Sequence, residues 1–237
     1  MKTIAIGVGD NENIIQACHI FKEKHPKTDI KLIYSDEDLV KAVLDDRVDA
    51  VIRGSLPASH IMQELKEYYP NLSRATYING DDYEFLLSPV GIDEGTNVEE
   101  RFEIAKNCID FLKKVGKKPK IAILAEGRED DFGRGNEVSN SIKESEKLTK
   151  LIEENTSEEV ENFFILIEKA INSKSNVIIA PNGRVGNIIF RTLVLLSSWP
   201  SYGAVTFGID RVYIDTSRDQ SIDGYVRSLI LANQLSE

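Results

Sequence analysis

Short runs of β-branched and apolar residues alternate with longer amphipathic stretches along almost the whole chain. This alternation limits the fold more than any other feature. Residues 3–8 (TIAIGV) read as a strand, and 13–24, with Ile14, Ala17, Cys18 and Phe21 at helical spacing, as a helix. Residues 29–34 form a second strand. Ser35 then caps a helix with an acidic first turn and an apolar face of Leu39, Val40, Val43 and Leu44. Residues 49–52 are a third strand, closed by Arg53-Gly54-Ser55, and 61–69 a helix stopped by Pro70. Further strands are expected at 76–78, 83–88, 120–124, 176–180, 204–208 and 212–214. Helices are expected at 99–115, 137–151, 158–172, 185–198 and 222–235. Strands separated by helices predict an α/β protein with mostly parallel strands and crossover helices. The 99–115 helix reads as a connector, because the pattern resumes after it as if a second sheet had begun.

Charge narrows the partners. The 237 residues carry 39 acidic and 29 basic side chains, a net charge of −10. Nucleic acid and anionic membrane surfaces call for a basic footprint, so neither is expected as a main partner. Arginines converging on one cleft still allow an anion to be held. Two cysteines, Cys18 and Cys108, lie far apart in helix-like contexts and suggest neither a disulfide framework nor a zinc site. His19, His25 and His60 have no ligand spacing, and no metal is expected. The acid pairs Asp81-Asp82 and Asp93-Glu94 read as loop residues, and GREDDFGRG (127–135) as a solvated loop. The start MKTIAIGVGD has too short an apolar run for a signal peptide. The longest apolar run, 188–196, contains Arg191 and falls short of the ~20 residues of a membrane span. A cytoplasmic location is expected.

The sequence VIIAPNGRVGNIIF (177–190) carries the first candidate site. Ligands of open parallel sheets gather at strand carboxyl ends. Pro181 ends the ladder, Gly183 permits a positive-φ turn, and Gly186 allows close approach to the helix start. With Asn182 and Asn187 alongside, the first helical turn reads as an anion seat. IDTSRDQSIDGYV (214–226) has the same form. Ser217 and Ser221 are hydroxyl donors or caps, and Arg218 is a fork-shaped donor. Arg53, after the third strand, is a further candidate.

These segments resemble the phosphate acetyltransferase and butyryltransferase superfamily. The family's strand-Pro-Asp-x-x-x-Gly-Asn-Ile element is similar to residues 180–188, and its Ser-Arg turn before the last helix to Thr216-Ser217-Arg218. GDNENIIQA (9–17) and DAVIRGSLPAS (49–59) are also similar. More closely, the chain resembles the archaeal methyltransferase-associated subunit X (MtxX, methanogenesis marker) family. The resemblance implies two αβ domains of isocitrate/isopropylmalate dehydrogenase-like type facing a cleft: 1–100 plus 210–237, and 101–209. It implies Arg218 and Ser217 as catalytic residues, and a coenzyme A-like or phosphate ligand held by Asn182, Gly183, Gly186, Asn187, Arg53 and Ser221. A homodimer is implied, as are partner methyltransferase subunits.

Departures from the pattern bear on the reaction. The family's acid six residues after the arginine falls on Gly224, and its Asp after the strand proline on Asn182. The turn Gly7-Val8-Gly9-Asp10-Asn11 lacks the third glycine of a common S-adenosylmethionine site. Two readings therefore stay open. One is a transferase acting on a phosphorylated or nucleotide-like anion in methyl-group metabolism. The other is an accessory or binding subunit that kept the cleft without the chemistry.

Overall fold

The computed structural model describes residues 2–236. In chain order the elements are β1 (Thr3–Gly7), α1 (Asn13–Lys24), β2 (Asp29–Ile33), α2 (Asp36–Leu44), β3 (Ala50–Ile52), α3 (Ala58–Tyr68), β4 (Ser73–Asn79) and β5 (Glu84–Ser88). Then come α4 (Val98–Lys114), β6 (Lys120–Leu124), α5 (Asn136–Asn155), β7 (Glu159–Phe164), α6 (Ile167–Asn172), β8 (Val177–Ile179) and α7 (Gly183–Phe190). A π-helical segment (Arg191–Leu196) follows, and β9 (Ser201–Phe207), β10 (Val212–Asp215) and α8 (Ile222–Leu235) complete the chain.

The chain divides into two units. One runs up to Leu72 and resumes at Pro200; the other is Ser73–Trp199. In the first, the strands lie in the order β2-β1-β3-β10-β9. Neighbours from β2 to β10 are parallel, and only β9 runs antiparallel to β10. β1 and β3 are continuous β-branched and alanine runs because helices cover both faces, as buried parallel strands require. Leu39, Val40, Val43, Ile61 and Leu65, from α2 and α3, join Ala5 and Val51 in one core. Helices α1 and α8 pack together. At the far end of α8, Asn233 accepts from Lys2 Nζ at its carbonyl (2.9 Å) and from the Thr28 hydroxyl at Oδ1 (3.0 Å).

The second unit has the order β4-β5-β8-β6-β7. Its β4–β5 pair is an antiparallel hairpin, and the other neighbours are parallel. Because β5 pairs with β8, the hairpin belongs to this unit. The unit therefore opens at Ser73, upstream of the expected division at 100/101, and α4 lies inside it rather than joining two halves. At the other boundary, β9 pairs with β10 and stays with the first unit.

Two elements differ from the sequence reading. Residues 158–172 were expected as one helix, but β7 occupies Glu159–Phe164 and only α6 is helical. Glu159-Val160-Glu161 alternates charged and apolar residues, and pairing with β6 outweighs the helical spacing of the stretch. The ladder shifts register between Ile123 and Leu124: Phe163 is skipped, and Phe164, at φ 54°, pairs with Leu124. The expected 185–198 helix starts at Gly183 and widens to π geometry from Arg191. Both cysteines sit where burial pushes the thiol up: Cys18 to about 11, and the fully buried Cys108 further. Among the described residues no helix is long and apolar enough to cross a membrane, and no group of His, Cys, Asp and Glu is placed to hold a metal ion.

Candidate functional site

Three turns meet at the carboxyl ends of β1, β3 and β10, all within the first unit. The β3 turn is pinned to the β1 turn: Ser55 N donates to Gly7 O (3.2 Å), and Gly9 N donates to Ser55 Oγ (2.8 Å). It is pinned to the β10 turn by the Thr216 hydroxyl, which donates to Gly54 O at 2.8 Å. Arg53, 5% exposed, is the brace between them. Its guanidinium bonds the Asp215 carboxylate and the carbonyls of Leu56 and Thr216. The fold itself engages this arginine.

The β10–α8 turn, residues 216–221, has an uneven supply of hydrogen-bonding groups. Its carbonyls are tied inward. The Tyr225 hydroxyl donates to Ser217 O (3.0 Å) and Arg218 O (3.2 Å). Asn11 Nδ2 donates to Arg218 O (2.8 Å) and Gln220 O (3.1 Å), and Asn13 Nδ2 to Gln220 O (3.3 Å). Burial pushes the Tyr225 hydroxyl up to about 12, so it stays a donor at neutral pH. The exposed side chains of the turn are Arg218, Asp219 and Ser221. Among the described residues, the amides of Ser217, Arg218, Ile222 and Asp223 have no acceptor, and the exposed Arg218 guanidinium pairs with nothing. Ser217 Oγ accepts from Asp219 N (3.2 Å), and Ser221 caps α8 by accepting from Gly224 N (3.1 Å). Amides of a helix start and an unpaired guanidinium favour an anion, with the exposed Asp219 carboxylate opposing them in the same turn. Of the expected site residues, Ser217, Arg218 and Ser221 are brought together here.

The turn at the start of α7, in the second unit, is different. Asn182 Oδ1 accepts from Val185 N (3.0 Å), and Asn182 O accepts from Gly186 N (3.0 Å). Gly183 N donates to Glu94 O at 2.9 Å. Asn182 Nδ2 donates to Glu126 Oε1 at 2.7 Å, which places a carboxylate beside the helix start. Asn187 Nδ2 donates to Val90 O at 3.0 Å. The glycines serve packing. Gly183 has no positive φ, contrary to expectation; a Cβ there would lie 1.6 Å from Gly91 O, and one on Gly186 1.9 Å from Pro89 O. Gly183, Gly186 and Asn187 thus seat α7 on the 89–94 loop, while Asn182 caps the helix and bonds Glu126. Arg101, 1% exposed, holds the same turn from below, donating to Pro181 O (2.7 Å) and to Glu144 Oε2 (2.5 Å).

Sequence reasoning missed the residues that set both turns: Asn11, Asn13 and Tyr225 in the first unit, and Arg74, Glu94, Arg101 and Glu126 in the second. Asn11 and Asn13 resemble ordinary helix-start residues, and their partners lie some two hundred positions downstream. Arg101 did carry a signal, as an arginine on the apolar side of an amphipathic helix, where charge is rare unless paired.

No family model matches the chain. It is 35% identical to a Methanocaldococcus jannaschii protein named "Uncharacterized methyltransferase", over 95% of this chain and 94% of that protein. It is 33% identical to the "Putative methyltransferase mtx subunit X" of Methanosarcina barkeri, over 88% of this chain and 78% of that protein. Among solved structures, a branched-chain phosphotransacylase from Enterococcus faecalis superposes with a TM-score of 0.77 at 18% identity, covering 100% of this chain and 99% of that one. A Klebsiella pneumoniae 4-hydroxythreonine-4-phosphate dehydrogenase superposes with a TM-score of 0.65 at 13% identity, covering 100% of both chains. These structural likenesses establish an α/β fold of the phosphotransacetylase and dehydrogenase-like type. The sequence likenesses establish kinship, and the chain belongs to the methyltransferase mtx subunit X family.

Proposed function

We propose that this protein holds an oxyanion at the β10–α8 turn, as the phosphate of a phosphorylated or coenzyme A-like ligand, and serves a transfer reaction of methyl-group metabolism. One observation carries the reading: the carbonyls of 216–220 that point inward are paired, while the Ser217, Arg218, Ile222 and Asp223 amides and the Arg218 guanidinium are left unpaired. Arg218 supplies the charge, the amides orient the oxygens, and Ser217 Oγ stands beside them. The tie to methyl transfer comes from the names of the relatives. Titration calorimetry with inorganic sulfate tests the seat. A charge-assisted contact of this kind is worth about 1.5–3 kcal/mol, so Arg218→Ala is expected to weaken binding about 10–100-fold. Equal binding by the variant would remove Arg218 from the site.

A second reading, an accessory subunit without chemistry, is favoured by Gly224. A Cβ there would lie 2.3 Å from Gln220 Cδ, so no acid fits at that position while Gln220 keeps its place. Acetyl phosphate turnover by the purified chain would count against this second reading.

The pairing of two copies is also part of the proposal. Ile188 and Leu196, on the continuous segment of α7 and the π-helical turns, are 65% and 79% exposed. Apolar side chains left this open suit a contact with a second copy. Sedimentation is expected to show a dimer that shifts to monomer in Ile188→Lys/Leu196→Lys; a monomeric wild type would refute the pairing.

A further inference from the structure

No aspartate or glutamate occurs between Glu168 and Asp210, in a chain with 39 acidic residues. From 175 to 209 the only charged residues are Arg184 and Arg191. α7 and the π-helical segment lie in this stretch and carry two of the most open large apolar side chains, Ile188 and Leu196. The change of helix type decides how these two are placed. An α-helix turns about 100° per residue, and the wider i→i+5 helix roughly 80°. Three α steps from Ile188 to Arg191 and five π steps from there to Leu196 return Leu196 to within about 20° of Ile188, with Thr192 about 20° from the same line. An unbroken α-helix would turn Leu196 about 80° away. Burial agrees with the wider turn: Thr192 is exposed, and Val194, which falls on the opposite side, is 6% exposed. The Thr192 hydroxyl donates to Ile188 O (2.9 Å), so the middle of the row asks little of a partner. The far end is fixed: Ser197 N donates to Thr192 O (3.0 Å), Trp199 N to Leu193 O (2.9 Å), and the Trp199 ring stacks on Tyr83 at 3.9 Å.

We propose that the row Ile188-Thr192-Leu196 is the seam between two copies of this chain, the two helices crossing antiparallel at Thr192. The inference rests on the pairing proposed above and adds its register. A two-fold contact is self-complementary, so residue i meets j wherever j meets i. Ile188 and Leu196 stand four residues on either side of Thr192. A two-fold axis at Thr192 therefore sets each Ile188 against Leu196 of the second copy, and Thr192 against itself. Charge favours the same occupant. Two copies of a chain with a net charge of −10 repel wherever their acids meet, and this stretch brings none of its own. The π-helical turns are what make the row continuous.

Helices packed about 8–10 Å apart bring Cα atoms at their crossing to about 4–5 Å, within disulfide reach. Thr192→Cys is therefore expected to form covalent dimers on mild oxidation with diamide, read on a non-reducing denaturing gel. Ile188→Cys alone would lie about 12 Å from its mate and is expected to run as monomer. Wild type, whose Cys18 is half-buried and Cys108 buried, is expected to do the same. Joining Ile188→Cys and Leu196→Cys in one chain is expected to restore the cross-link. Melting temperatures check the fold, and if Thr192→Cys does not fold, the double variant decides alone. Sedimentation of the wild type reports pairing independently. A paired wild type whose Thr192→Cys variant cross-links no better than Ile188→Cys overturns the register and leaves the pairing standing. A monomeric wild type overturns the pairing, and this inference with it.

Discussion

Gly183→Ala is expected to lower the stability of the protein by about 3 kcal/mol or more, a fall in Tm of roughly 6–12 °C. The cause is a backbone contact with no slack. The added methyl carbon would lie 1.6 Å from Gly91 O and 2.7 Å from Gly91 C, and neither atom belongs to a side chain that could swing away. Relief requires α7 to lift off the 89–94 loop. That movement would also break the bond from Gly183 N to Glu94 O and strain the one from Asn187 to Val90 O. Gly135 provides the contrast. Its position is open to added bulk, with nothing within 4 Å, and alanine there is expected to cost under about 1 kcal/mol. Thermal melts of the two variants side by side test the contact. A Gly183→Ala protein that melts with the wild type would show that α7 is not seated as described.

The other large effect is expected from Arg74→Met. Arg74 Nε lies 2.7 Å from Glu94 Oε1, with side chains 8% and 1% exposed. Glu94 also accepts from Gly91 N (3.3 Å) at Oε2 and offers its carbonyl to Gly183, so this acid stiffens the loop that carries α7. Removing the arginine leaves a carboxylate sealed from water without its counter-charge, at a cost of about 3–5 kcal/mol. A pH series identifies the cause. In the variant, burial disfavours the ionised Glu94 carboxylate more than the Gly91 amide bond favours it, and its folded-state pKa is expected to rise above the unfolded value. The deficit relative to wild type is therefore full at pH 8 and shrinks as pH falls toward the carboxylate range. Replacing Glu94 with glutamine in the same chain is expected to restore part of the loss at neutral pH. Denaturant unfolding at several pH values makes the comparison, and a deficit that is flat with pH would assign the cost to lost packing instead.

The strands of the buried sheets could be read from the sequence because burial on both faces enforces a local pattern. Ile4-Ala5-Ile6, Ala50-Val51-Ile52 and Val177-Ile178-Ile179 admit little else. β7 could not, since its first residues are charged and its strand character comes from pairing with β6. The hairpin β4–β5 was visible as two strands, but nothing local says that β5 will pair with β8, and this pairing sets the unit boundary. The same limit applied to the site. Ser217-Arg218 stood out as side chains with obvious donors. What separates the β10–α8 turn from the α7 turn is where the amides go, and that depends on Asn11, Asn13 and Tyr225 in one case and on Glu94 in the other. Both turns have the Gly- and Asn-rich or Ser-rich look of anion sites.

The outermost strands carry one more consequence. On β2, Asp29 and Lys31 face solvent; on β7, Glu159 and Glu161 do, with Glu159 paired to Lys120 at 2.8 Å. A foreign segment adding to either margin would have to bury these charges beside its own backbone. Charges along both margins oppose edge-to-edge addition, and neutralising Glu159 and Glu161 together is expected to weaken that protection at β7.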